Sequence, residues 1–184
     1  MSLTLDHSVV HLASDFLPKK NFKYEELNQP EEIMGQAFAE VYLKNFSKVH
    51  SSAQNDFQLF LKEFPVNNLG IADLVAFSFS SDTLKNIRAF EFKIDDWRKG
   101  ISQACRYKFY ADASILVLPI RKICHASKFL DTFKSLTIGL WGFDESKKII
   151  KKVYTPRPKK SYSNRYRKEA LRLLYKYNVS RLHK

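Results

Sequence analysis

The chain has 184 residues, 45% hydrophobic and 14% aromatic, enough for one full core and too few for two ordinary domains. It contains no run of about eighteen apolar residues, and its start, MSLTLDHSVVHLASDF, lacks the basic opening and continuous apolar centre of a signal peptide; neither membrane spanning nor export is predicted, and a cytoplasmic protein is. The formal charge of +12 is uneven: residues 147–184 hold 14 of the 31 Lys and Arg and one acid, Glu169, whereas residues 1–146 carry 17 basic and 18 acidic residues.

Residues 1–29 read as a lead-in. NQPEEIMGQAFAEVYLKNF carries helix signals: Asn28 as a cap, Pro30 early, Glu31 and Glu32 in the first turn, then Ile33, Met34, Ala37, Phe38, Val41 and Tyr42 at helical spacing. FQLFLKEFPV and GIADLVAFSF follow as strands across the turn NNLG, and NIRAFEFKI is a third strand after SSDTLK. DDWRKGISQACRYKFYA reads as a helix capped by Asp95 or Asp96. SILVLPI reads as a central parallel strand, ASKFLDTF as a short helix and LTIGLWGF as a buried strand. KKIIKKVY alternates as an edge strand does, and SNRYRKEALRLLYKYNV closes the chain as a basic amphipathic helix. The order predicts an α/β or α+β domain, a mixed β-sheet flanked by helices, with its core over residues 30–155 and a basic tail over 156–184 packed on it. Cys105 and Cys124 show no metal-ligand spacing and read as small buried hydrophobes.

Asp73 interrupts an otherwise apolar strand, where an unpaired carboxylate is costly. If the second and third strands form a hairpin centred on Asp82, the midpoint of 73 and 91, Asp73 lies across from Glu91 with Cβ atoms about 4.5–5.5 Å apart. Lys93 shares their face because side chains alternate along a strand. Two adjacent carboxylates repel unless a proton or a cation lies between them. Mg²⁺, held by these oxygens and the Phe92 carbonyl, would resolve the repulsion and support phosphodiester hydrolysis; a salt-bridge network at the sheet rim is the alternative. On the following helix Lys99, Gln103 and Tyr107 are spaced to share one face, which can border the cluster.

Taken together, GIAD on one strand, EFK on the next and QACRY on the helix resemble the PD-(D/E)xK nuclease superfamily, in its QxxxY branch of RecB-type and lambda-exonuclease-like nucleases. The resemblance spans about residues 30–120 and implies a restriction-endonuclease-like fold that binds Mg²⁺ or Mn²⁺ and cuts DNA. By this likeness Asp73 and Glu91 are metal ligands, Lys93 activates the water, and Gln103 and Tyr107 support the site or contact the strand. An acid on the first helix often completes the metal shell in such proteins, and Glu40, which breaks the run AFAEVYL, is the candidate, with Glu63 behind it. Ala72 stands where the motif has proline. No second domain for target recognition is evident, which favours a structure- or end-guided nuclease, or one of a mobile element or defence system.

The basic C-terminal segment, with Tyr154, Tyr162, Tyr166, Tyr175 and Tyr177 interleaved, points to nucleic acid, DNA favoured, as partner. Lys99, Arg157, Lys159, Lys160, Arg165 and Arg167 are the expected phosphate contacts, and a solvated helix face is the bland alternative. A homodimer would suit two antiparallel strands. The five histidines lack catalytic or ligand spacing, and neither GxSxG nor a glycine-rich phosphate loop occurs. A binding or assembly module on a nuclease-like fold is the competing function.

Overall fold

The computed structural model describes residues 30–49, 56–80 and 83–182; the lead-in, the Asn28 cap and the Asp82 turn centre lie outside them. Its elements are α1 (Pro30–Val49), β1 (Asp56–Val66), β2 (Gly70–Ser80), β3 (Thr83–Phe92), α2 (Trp97–Tyr107), β4 (Ala113–Pro119), α3 (Ile120–Ser127), α4 (Leu130–Leu136), β5 (Gly139–Asp144), β6 (Ile149–Tyr154) and α5 (Asn164–Leu182). The six strands form one sheet in chain order. β1, β2 and β3 are successively antiparallel, β3, β4 and β5 are parallel, and β6 closes the edge antiparallel to β5. This is the mixed, helix-flanked α/β sheet that the element order predicts.

Strand alternation divides the apolar side chains between two faces. On one, Met34, Phe38 and Tyr42 of α1 pack on Phe60, Leu74, Phe90, Phe92, Val117 and Trp141. On the other, Tyr107, Tyr110 and the α5 residues Ala170 and Leu174 cover Leu59, Leu61, Val75, Phe77, Ile87 and Ala89. There Trp97, Ile101 and Ala104 of α2, with Ile123 of α3 and Phe133 of α4, cover Leu116, Leu118 and Leu140. The basic C-terminal helix is therefore part of the core packing.

Two expectations change. The stretch after β4 forms two short helices, because Pro119 ends the strand and Ile123 and Ala126, three residues apart, turn one face of α3 inward. Cys124, next to Ile123 on that helix, is consequently exposed, and Cys105 is half-buried. Among the described residues no helix is long and apolar enough to cross a membrane.

Candidate active site

The β2–β3 ladder runs Ser78↔Asn86, Phe77↔Ile87, Ala76↔Arg88, Val75↔Ala89 and Leu74↔Phe90. One further step in this register sets Asp73 opposite Glu91. The backbone ladder stops just short of that step, and the Phe92 N–H instead donates to Asp73 Oδ2 at 2.7 Å. β3 continues alongside β4, with Lys93 N–H donating to the Val117 carbonyl at 3.1 Å. The parting of β2 from β3 thus leaves one carboxylate on each strand at a common rim.

Glu91 is fully buried. Its Oε1 lies 2.9 Å from Lys93 Nζ, an ion-pair contact that leaves this buried oxygen without a directed hydrogen bond. Lys93 Nζ also donates to the Phe92 carbonyl at 3.1 Å and lies 3.5 Å from Glu31 Oε2. Burial, followed by the neighbouring Glu91 charge, raises the Asp73 pKa to about 7, against the Phe92 amide and Lys93, which lower it. Glu91 is raised as well, chiefly by burial, with Tyr107 and Lys93 opposing. Burial disfavours the charged form of Lys93, but Glu91, Asp73 and Glu31 outweigh it and hold the ammonium above its ordinary pKa.

Tyr107 Oη stands 2.6 Å from Glu91 Oε2 and 2.7 Å from the Ile71 carbonyl. The hydroxyl, with one proton to donate, is within donor reach of both oxygens and shares that proton between the Glu91 carboxylate and the Ile71 carbonyl. Burial, then the Glu91 charge, keeps the phenol protonated.

Of the polar stripe predicted on α2, Tyr107 meets Glu91, Gln103 is half-buried with a buried, unpartnered Oε1, and Lys99 is exposed. Its amide donates to the Asp96 cap. Gly100, in the middle of this helix, permits close packing: a Cβ there would lie 2.8 Å from Lys93 Cγ and 2.5 Å from Leu116 Cδ1.

The acid that α1 brings to the rim is Glu31. It contacts Lys93, and its Oε1 accepts from Ile94 N–H at 3.2 Å. Glu40, expected as a third metal ligand, is exposed and lies nine residues, about 13 Å, further along the helix. Glu63 is exposed, in the left-handed region at φ 49°. It sits between the pairs Lys62↔Leu74 and Phe64↔Ala72, opposite Asp73 but outside the ladder. Glu31 escaped sequence reasoning because acids in a first turn already have a helix-end explanation; the available signal for Gly100 was a glycine inside an amphipathic helix.

Among the described residues no three His, Cys, Asp or Glu side chains cluster as a metal site. Asp73, Glu91 and the Phe92 carbonyl nevertheless make an oxygen set of the kind that holds Mg²⁺ with water completing the shell. The undirected Glu91 Oε1 fits that chemistry. The Lys93 ammonium is the cation that now meets Glu91 Oε1 and the Phe92 oxygen.

The basic residues divide. Arg157, Lys159, Lys160 and Arg165 are exposed, whereas Arg167 Nη1 is paired with Asp112 Oδ1 at 2.6 Å. Asp112 Oδ2 also accepts from Ile87 N–H at 2.8 Å, so Arg167 ties α5 to the sheet and is not a free phosphate contact. The segment before α5 runs beside the start of β4. Glu91 pairs with Leu116, three residues beyond Ala113, so the carboxylates stand about 10 Å further along the strands.

Fold and rim together define a six-stranded mixed α/β domain with a carboxylate–lysine cluster where two antiparallel strands part. Among solved structures it is similar to the SPO1766 protein of unknown function from Silicibacter pomeroyi, with a TM-score of 0.51 and 15% identity over 84% of this chain and 89% of that one. That likeness concerns the fold alone. No protein-family model matches the sequence, and no curated protein does.

Proposed function

We propose that the protein is a metal-dependent nuclease that hydrolyses phosphodiester bonds in DNA. The observation that carries this reading is the meeting of two desolvated carboxylates, Asp73 and Glu91, with Lys93 at one rim. Asp73, Glu91 and the Phe92 carbonyl would hold Mg²⁺ or Mn²⁺. When bound, such an ion supplies Lewis-acid polarisation of the phosphate and a water of lowered pKa.

The chain's own groups have distinct tasks. Glu31 offers Lys93 a second carboxylate, so the ammonium stays charged when Glu91 is engaged elsewhere. Lys93 can then orient the attacking water and offset charge growing on the phosphate. Tyr107, bridging Glu91 and the Ile71 carbonyl, fixes the Glu91 rotamer, and Gln103 presents an unpartnered carbonyl oxygen from the previous turn of α2. Water adds to phosphorus as the P–O ester bond breaks, leaving a phosphate monoester and a free hydroxyl.

A second reading is a non-catalytic nucleic-acid-binding or assembly module. The observation in its favour is that Lys93 already neutralises Glu91, so the cluster is stable as it stands. Cleavage of labelled single-stranded, duplex and branched DNA in Mg²⁺, Mn²⁺ or EDTA, beside Asp73→Ala and Glu91→Ala, separates the two. Metal-dependent products lost in both variants support the nuclease; binding without cleavage under every condition favours the module.

A further inference from the structure

A second charged site lies at the opposite end of β4 from the carboxylates. Its cleft is lined by Ala113 and Ser114 at the start of that strand, by Lys108 and Asp112 of the α2–β4 turn, by Thr137, and by Arg157, Lys159, Lys160 and Tyr162 of the crossing to α5. Four basic residues and one acid thus line it, and both oxygens of Asp112 are already engaged, by Arg167 and by the Ile87 amide. Among the described residues Arg157, Lys159 and Lys160 have no ion-pair partner.

These cations stand on a fixed support. Pro156 and Pro158 restrict the crossing segment, and three backbone hydrogen bonds tie it down. Lys159 N–H donates to the Asp112 carbonyl at 2.9 Å, Tyr162 N–H to Lys108 at 3.0 Å, and Ser163 N–H to Phe109 at 3.1 Å. The cleft floor is specialised too. Thr137 ends α4 in the left-handed region at φ 52°, a conformation that strongly disfavours a β-branched residue and that glycine would adopt freely. Its hydroxyl accepts a hydrogen bond from Lys108 Nζ, which also donates to the Leu136 carbonyl at 2.7 Å and sits 4.5 Å from the centre of the Tyr162 ring. Strained backbone of this kind concentrates at functional positions. Cations gathered on a rigid frame, beside an internally neutralised acid, create a local positive field that an anion would offset.

We infer that the rim of this small cleft, whose interior of about 20 Å³ is too small for a phosphate, is a phosphate-binding surface in which the exposed Arg157, Lys159 and Lys160 contact phosphate oxygens and Lys108, held by Thr137 and Tyr162, supplies fixed positive charge. The inference does not depend on hydrolysis at the carboxylate rim, since the cleft has its own residues and lies about 10 Å away along the strands.

The test is fluorescence anisotropy of a labelled single-stranded oligonucleotide in EDTA, where metal-dependent cleavage is absent, over about 50–200 mM NaCl. The triple variant Arg157→Ala/Lys159→Ala/Lys160→Ala is compared with Arg121→Ala/Lys128→Ala/Lys147→Ala, which removes the same charge from exposed positions outside the cleft. The cleft variant should bind about tenfold or more weakly and lose about two from the slope of log affinity against log salt, while the control stays within about threefold of wild type. Inorganic phosphate that competes beyond chloride at matched ionic strength assigns the cleft to a lone phosphate group. Its failure to compete, with the cleft variant still selectively weakened, assigns it to a nucleic-acid backbone. Equal weakening of the two variants, or none in either, overturns the site. Because every arm omits divalent metal, failure of the nuclease proposal leaves these outcomes unchanged.

Discussion

Replacing Asp73 by Asn should stabilise the metal-free protein at pH 8 while removing the proposed nuclease activity. The folded state raises the Asp73 pKa from 3.8 to about 7, so between about pH 4 and pH 7 the folded chain binds a proton that the unfolded chain has released. Stability contributed by this proton is therefore full below the unfolded pKa and is lost as pH rises through the folded one. A displacement from 3.8 to about 7 corresponds at most to about 4 kcal/mol. Residual solvent contact reduces this to roughly 1–3 kcal/mol. Asn keeps a carbonyl oxygen for the Phe92 amide and carries no charge, so Asp73→Asn should recover that amount at pH 8, about a third of it at pH 5, where the unfolded Asp73 is already ionised, and almost none below about pH 4. For a chain of this size the gain corresponds to roughly 2–10 °C in Tm. Thermal unfolding in EDTA from pH 5 to pH 8 measures it. A variant no more stable than wild type at pH 8, or displaced equally at both ends of the range, would refute the view that Asp73 is a strained carboxylate kept for function at the expense of stability.

Lys93→Ala should lower cleavage by roughly 10²–10⁴-fold without changing DNA affinity in EDTA; a wild-type rate removes Lys93 from the reaction. Glu31→Gln should slow cleavage several-fold, whereas Glu40→Gln should behave as wild type, and the reverse ranking in a rate assay would restore Glu40 as the α1 contribution. Tyr107→Phe leaves the Glu91 carboxyl without its phenolic partner and should destabilise by about 1–3 kcal/mol, read as a lower denaturation midpoint; an unchanged midpoint would mean that the hydroxyl does not matter to the fold. Arg167→Ala should destabilise by a similar roughly 1–3 kcal/mol through the partly unpaired Asp112, with the salt dependence of DNA binding unchanged. A shallower slope would make Arg167 a phosphate contact after all.

Much of the rim was legible in the chain. The interval from 73 to 91, symmetric about residue 82, implies the register that the Leu74↔Phe90 pair carries, which the strands reach through a shift at Ser78/Phe79 from an end paired Ser80↔Thr83, and strand alternation puts Glu91 and Lys93 on one side. Gln103 and Tyr107 lie one helical turn apart for an equally local reason. The parting of the ladder after Leu74, with Asp73 accepting from the Phe92 amide, was not legible, because it depends on β3 leaving β2 to follow β4. Nor was the choice of Glu31 over Glu40. Both lie on α1, and the way that helix crosses the sheet decides which end reaches Lys93. Arg167 looked like its basic neighbours until its partner, Asp112, appeared 55 residues away in sequence.

The sequence by itself determined where strands and helices run, which faces are apolar, which strand carries an acid in its interior and where positive charge accumulates, because periodicity, capping and turn chemistry act over a few residues. Only the tertiary structure decided which acid meets Lys93, that Tyr107 holds Glu91, and that Arg157, Lys159 and Lys160 line a cleft at the far end of β4. Those outcomes depend on helix crossings and strand departures, where packing of the whole core selects one partner among many side chains of the same chemistry.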